Sequence, residues 1–128
     1  MNTLSENAAV LVIDPDPSIR TLIVALLRRN GYVAESAGDT DEALRLRRVG
    51  RHAAVILDPR VLGGDALLRA LRSAGDDDAA SPNLIVVTTP EQAQTPYAGR
   101  PGVHAVLFKP FHLNDLAAAV AECCGVTN

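Results

Sequence analysis

The sequence predicts an α/β domain in which five parallel strands alternate with helices, a (βα)5 chain forming one doubly wound sheet. Three observations carry that expectation. Four short apolar runs, at 9–13, 53–57, 84–87 and 103–108, are nearly unbroken rather than alternating, which suits strands buried on both faces of a parallel sheet. Segments of helical period lie between them. The 128 residues are 48% hydrophobic and 21% charged, enough apolar mass for one core and no room for a second folded domain.

The run 9–13 ends at Asp14. In the helix expected after it, Ile19, Leu22, Ile23, Leu26 and Leu27 recur at three and four residues, Asp16 caps the start, Pro17 suits the first helical position and Gly31 closes the end. YVAES, residues 32–36, reads as the second strand. Asp39 with Glu42 three residues later resembles a capping box for a second helix running to about Gly50. After the strand at 53–57, the third helix should turn Leu67, Leu68 and Leu71 inward and Arg69 and Arg72 outward, ending at Gly75; GDDDAASP then reads as a charged, flexible, solvated connection. PEQAQTPYAGRPG, residues 90–102, has three prolines and almost no apolar period, so a fourth helix there must be short or irregular. A last helix is expected from Leu113 to about Cys124, presenting Leu116, Ala117 and Val120 to the core. The folded unit therefore spans 9–124, with tails at 1–8 and 125–128.

A net charge of −3 and a pI near 5.5, with dispersed arginines, argue against nucleic-acid contact, which needs clustered positive charge. The apolar run near the N-terminus is too short for a signal peptide or a membrane span, so a cytoplasmic protein is expected. Cys123 and Cys124 read as packing residues in a reducing compartment, the alternatives being a reactive thiol or a strained vicinal bridge. His52, His104 and His112 are too far apart to imply a metal site, and surface roles are expected for each.

A doubly wound sheet places its site at the carboxyl ends of the strands. Those ends carry Asp14 and Asp16 after the first strand, Asp58 after the third, Thr88 and Thr89 after the fourth, and Lys109 followed by Pro110 after the fifth. Facing carboxylates demand a cation, either a bound Mg²⁺ or Lys109 itself. The same parts suit phosphoryl transfer: a carboxylate attacks phosphorus, cations neutralise the moving charge and a hydroxyl bonds one oxygen. Each residue alone has an ordinary explanation, Asp14 or Asp16 as a helix cap, Thr88 as a strand residue, Lys109 as an acid's partner. Their joint arrival at successive strand ends points to a phosphoryl-handling centre.

VLVIDPDPSIR, AAVILDPRVLGGDALLRAL, LIVVTT and AVLFKPF, in this order and spacing, resemble the receiver domain of bacterial two-component response regulators, a flavodoxin-like fold with strand order 2-1-3-4-5. The resemblance covers about 9–124. It implies that Asp58 is the phosphoacceptor, that Thr88 and Lys109 contact the phosphoryl group, and that Asp14, Asp58 and the main-chain carbonyl of Arg60 hold Mg²⁺, with Asp16 as a further candidate. It also implies a cis Lys109–Pro110 bond, a histidine kinase or phosphotransfer protein as donor, an output protein as recipient, and no enzymatic activity beyond self-phosphorylation and autodephosphorylation.

The departures from the family pattern are specific. Pro15 stands where the second acid of the pair belongs and supplies no side-chain oxygen, so Mg²⁺ binding should be weak or absent. Leu62 and Ala66 replace the usual Pro and Gly after the acceptor, although Gly63 and Gly64 keep that loop pliable; Val106 replaces the aromatic residue that reports phosphorylation. These features support an alternative, a phosphorylation-independent receiver acting as a protein-interaction module, with Asp14, Asp58 and Lys109 kept as an ion-pair cluster. A more distant alternative comes from Asp14-Pro15-Asp16-Pro17-Ser18, which resembles the Asp-x-Asp start of haloacid-dehalogenase-like phosphatases. Those enzymes need a further acidic pair after the lysine, and here only Asp115 and Glu122 follow, both on a predicted helix. No glycine-rich loop follows the first strand, which disfavours nucleotide or flavin binding.

Overall fold

The computed structural model describes residues 8–61, 63–73, 83–90 and 102–125. The chain runs β1 (Ala9–Ile13), α1 (Pro17–Arg29), β2 (Val33–Ala37), α2 (Thr40–Val49), β3 (Ala54–Leu57), α3 (Gly64–Ser73), β4 (Asn83–Thr88), β5 (Val103–Phe108) and α4 (Leu113–Cys123). The expected loop at 75–82, the Gly75 helix end and nearly all of the proline-rich stretch at 90–102 lie outside the described residues.

The strands form one parallel five-stranded sheet in the order β2-β1-β3-β4-β5. Alternate residues of each strand feed opposite faces, which is why β1 and β3 contain no polar residue, while β2 carries Glu35 and Ser36 and β5 carries His104. Val10, Val12, Ala54, Ile56, Ile85 and Val87 pack with Ile23 and Leu27 of α1 and Leu116 and Val120 of α4. Leu11, Ile13, Val55, Leu57, Leu84 and Val86 pack on the other face with Ala43 of α2 and Leu67, Leu68 and Leu71 of α3. Each large side chain so buried contributes roughly 1.5–3 kcal/mol, so this two-sided core fixes where the strands end.

Local signals set the helix ends. Asp16 caps α1 by accepting from the Ser18 N–H at 2.9 Å. At the other end Gly31 takes φ +90°, a conformation that favours glycine. Asp39 accepts from the Glu42 N–H at 2.8 Å, but Glu42 reaches back to the Gly38 N–H at 3.3 Å rather than to that of Asp39. In α4 the inward stripe is Leu116, Ala119 and Val120; Ala117, expected inward, is only partly buried.

A surface role does not hold for His52. Its ring is buried between β2 and α2, with Nε2 2.7 Å from Glu35 Oε1 and Nδ1 3.3 Å from the Arg47 guanidinium. Arginine can only donate, so Nδ1 accepts and the ring proton on Nε2 goes to Glu35. His104 does lie near the surface, paired with Glu122 at 2.8 Å, and His112 is exposed at the start of α4.

Candidate functional site

Because all five strands are parallel, residues one step beyond their carboxyl ends share one edge of the sheet. The ladders continue to those residues. Asp14 N–H donates to Ala37 O at 3.2 Å, Asp58 N–H to Ile13 O at 2.9 Å and Lys109 N–H to Thr88 O at 2.7 Å. The chain is thus pinned where the polar side chains begin, and Asp14, Asp58, Thr88 and Lys109 converge. The Lys109–Pro110 bond is cis.

Asp14 and Asp58 are only 2% and 1% exposed. The Lys109 ammonium bridges them, 2.9 Å from Asp14 Oδ2 and 2.7 Å from Asp58 Oδ2. The second oxygen of Asp14 accepts the Asp16 N–H at 2.8 Å. Asp16 itself is exposed and engaged as the α1 cap, and Pro15 is exposed beside it. Arg20 reaches from α1 to donate to the Asp14 carbonyl at 2.6 Å, lying where a side chain on Gly38 would collide with it.

The sequence reading missed the side chain of Arg60. From the turn after β3 it folds back onto the carboxylate two residues before it. Its Nη2 lies 2.8 Å from Asp58 Oδ2, and its Nε lies 3.0 Å from Oδ2 and 3.2 Å from Oδ1. Its backbone N–H donates to Oδ1 at 2.8 Å. A cation two residues beyond a strand-end acid was the available signal, since a turn there can direct the side chain back. The turn is tight: Val61 N–H donates to Asp58 O at 3.2 Å and Gly64 N–H to Val61 O at 2.8 Å. A Cβ on Gly64 would sit 2.1 Å from the Pro59 carbonyl oxygen, so this glycine is required for close approach and not merely for pliability.

Burial alone would push the Asp58 carboxyl up, but hydrogen bonds from Arg60 and Lys109 outweigh it and hold the group below the usual carboxylate range. The same bond to Asp58 raises Arg60 above its ordinary value. Asp58 is therefore an ionised, oriented carboxylate with two cations at one oxygen. The Thr88 hydroxyl is fully buried and has no hydrogen-bond partner among the described residues. Such a group costs on the order of 1–3 kcal/mol unless something arrives to bond it.

A profile described as the response regulator receiver domain matches residues 10–121. The chain belongs to the response regulator receiver domain family. This receiver is 39% identical over 113 residues to response regulator MprA of Mycolicibacterium vanbaalenii, a match covering 85% of this chain and 47% of the relative. It thus spans about half the length of the curated relatives it matches. Its fold is that of the Francisella response regulator 1452 receiver domain, with TM-score 0.79 and 26% identity, covering 95% and 100% of the two chains. It is shared too by TrrA of Thermotoga maritima, solved in complex with Mg²⁺-BeF, with TM-score 0.76 and 24% identity, covering 91% and 98%. The phosphatase resemblance yields to the family match across 10–121.

Receiver domains are generally non-enzymatic signalling domains that bind Mg²⁺ at the acidic pocket. The residues of this receiver do not fit that ion in the arrangement they adopt. Both oxygens of Asp58 and both of Asp14 already accept from Arg60, Lys109 or Asp16, and Pro15 contributes none. Among the described residues no group of three or more His, Cys, Asp or Glu is placed to hold a metal. No described helix is long and apolar enough to cross a membrane.

Proposed function

We propose that this receiver accepts a phosphoryl group on Asp58 from the phosphohistidine of a histidine kinase or phosphotransfer protein and relays the change to an output protein. The carboxylate oxygen of Asp58 bonds to phosphorus as the N–P bond breaks, and the electron pair returns to the donor imidazole, which takes up a proton. Lys109, already 2.7 Å from Asp58, would follow the charge onto the phosphoryl oxygens. The observation that carries this reading is the Thr88 hydroxyl, buried and unpartnered at the end of β4, the strand paired with β3, and suited to a phosphoryl oxygen. Should a divalent ion enter, Asp58, Asp14 and the Arg60 carbonyl are the groups to hold it, with Asp16 available only by giving up its cap. Partners of this kind put the receiver in the cytoplasm, without direct contact to nucleic acid or membrane. Incubation with acetyl phosphate followed by intact mass spectrometry tests the reading. One added phosphoryl group, absent in Asp58→Asn, supports it; no adduct with or without Mg²⁺ overturns it.

One observation favours a second reading, a protein-interaction module that phosphorylation does not switch. The acceptor is neutralised within the chain by Arg60 and Lys109, and position 106, a valine, is packed against the core with no aromatic ring to reorient. Absence of an adduct, together with a folded chain, would favour this module.

A further inference from the structure

We infer that the Arg60 guanidinium is a resident cation of the acidic pocket, occupying the place a divalent ion would take, so that Arg60 itself, and not only the missing acid at Pro15, sets how weakly this receiver binds Mg²⁺.

The charges make the case. Asp14 and Asp58 bring two negative charges, and Lys109 and Arg60 bring two positive ones. These four charges cancel, so a dication entering the buried pocket finds only the exposed Asp16 carboxylate uncompensated nearby. Geometry reinforces this. Arg60 spreads its Nε and Nη2 across Asp58 Oδ2, the oxygen that also faces Lys109, and its Nε and backbone N–H share Oδ1. A metal bonded to Asp58 would displace some of these donors and meet the repulsion of the guanidinium that remains nearby. Asp14 and Asp16 also act electrostatically on Arg60, so its charge faces three carboxylates, those two and Asp58 itself.

The fork is also built to move. The Arg60 side chain is 38% exposed while that of Asp58 is fully buried, and among the described residues Asp58 accepts the hydrogen bonds that hold it. Backbone bonds of the 58–64 turn and the close approach of Gly64 to Pro59 fix the residue's position, leaving the side chain free to swing outward on its own rotamers. The inference does not depend on whether Asp58 is phosphorylated.

The test is a titration of the intact chain with MgCl₂ at constant ionic strength, read by amide NMR shifts near Asp14, Asp58 and Lys109. It compares the wild type with Arg60→Gln, Arg60→Lys and the double variant Asp58→Asn with Arg60→Gln. The spectra themselves report whether each variant is folded. Wild type should not saturate up to tens of millimolar, Arg60→Gln should bind at least about tenfold more tightly, Arg60→Lys should stay near wild type, and the double variant should lose the gain. Saturable wild-type binding at low millimolar Mg²⁺ would overturn the inference. So would an Arg60→Gln titration indistinguishable from wild type, which would assign the whole deficit to Pro15, or an equal gain in Arg60→Lys, which would show that charge is not the cause. The phosphoryl-acceptor reading fails separately, by absence of an adduct from acetyl phosphate.

Discussion

The Arg60 guanidinium grips the Asp58 carboxylate from the solvent side, at 2.8 Å between Nη2 and Oδ2, while Lys109 meets the same oxygen from within at 2.7 Å. The carboxylate is thus held between two cations. The lysine comes from the residue after β5 and the arginine from the turn after β3.

Acid should expose this arrangement. Asp58 titrates below its unfolded value of ~3.9, so its stabilising contribution is complete above that pH and is lost as pH falls through the lower folded value. Melting temperature measured from about pH 6 to about pH 2 should fall more steeply in wild type than in Asp58→Asn. Parallel curves would show that the pair contributes nothing to folding.

Removing Lys109 should be costly. Lys109→Met leaves Asp14 and Asp58 buried and facing each other with Arg60 alone to compensate, a loss of roughly 3 kcal/mol by urea denaturation. Adding Asp58→Asn should recover part of that loss, because the repulsion goes with the second charge.

Thr88→Val should stabilise the fold by about 1 kcal/mol, since it replaces a buried, unpartnered hydroxyl by a methyl group of similar shape. The same change should shorten the lifetime of any phosphorylated form. A destabilised variant would mean that the hydroxyl has a partner in solution.

Gly64→Ala should cost about 1–3 kcal/mol, because the new Cβ cannot coexist with the Pro59 carbonyl 2.1 Å away. The backbone shift moves the turn that aims Arg60, so the Asp58 amide resonance should shift as well.

The vicinal thiols should react slowly. Burial, then the neighbouring Cys124 and Glu122, push Cys123 up to about 12, and burial also raises Cys124. At pH 8 iodoacetamide should label the native chain far more slowly than the urea-unfolded one. Rapid native labelling would contradict the packing role read from the sequence.

The central strands β1 and β3 and the middle of β4 were legible because two-sided burial removes polar residues from them, and the strand-end acids, threonine and lysine stood out against that background. The boundaries moved by only a residue or two, as at β4, where Asn83 and Thr88 join the ladder through backbone bonds that side-chain polarity does not reveal. What stayed hidden depended on direction in space. His52 and Glu35 are 17 residues apart and meet only because α2 returns the chain beside β2. Arg60 and Asp58 are neighbours in sequence, yet whether the guanidinium turns back or points to solvent is decided by a turn whose tightness rests on Gly64.

The central claim is that Asp58 carries the phosphoryl group, and locating that group tests it most directly. Borohydride reduces a phosphoaspartate to homoserine, so wild-type protein treated with acetyl phosphate, reduced and digested should yield homoserine at position 58 by peptide mass spectrometry, and nowhere else. Homoserine at another acidic residue, or none under conditions that modify a receiver known to be active, would contradict the account.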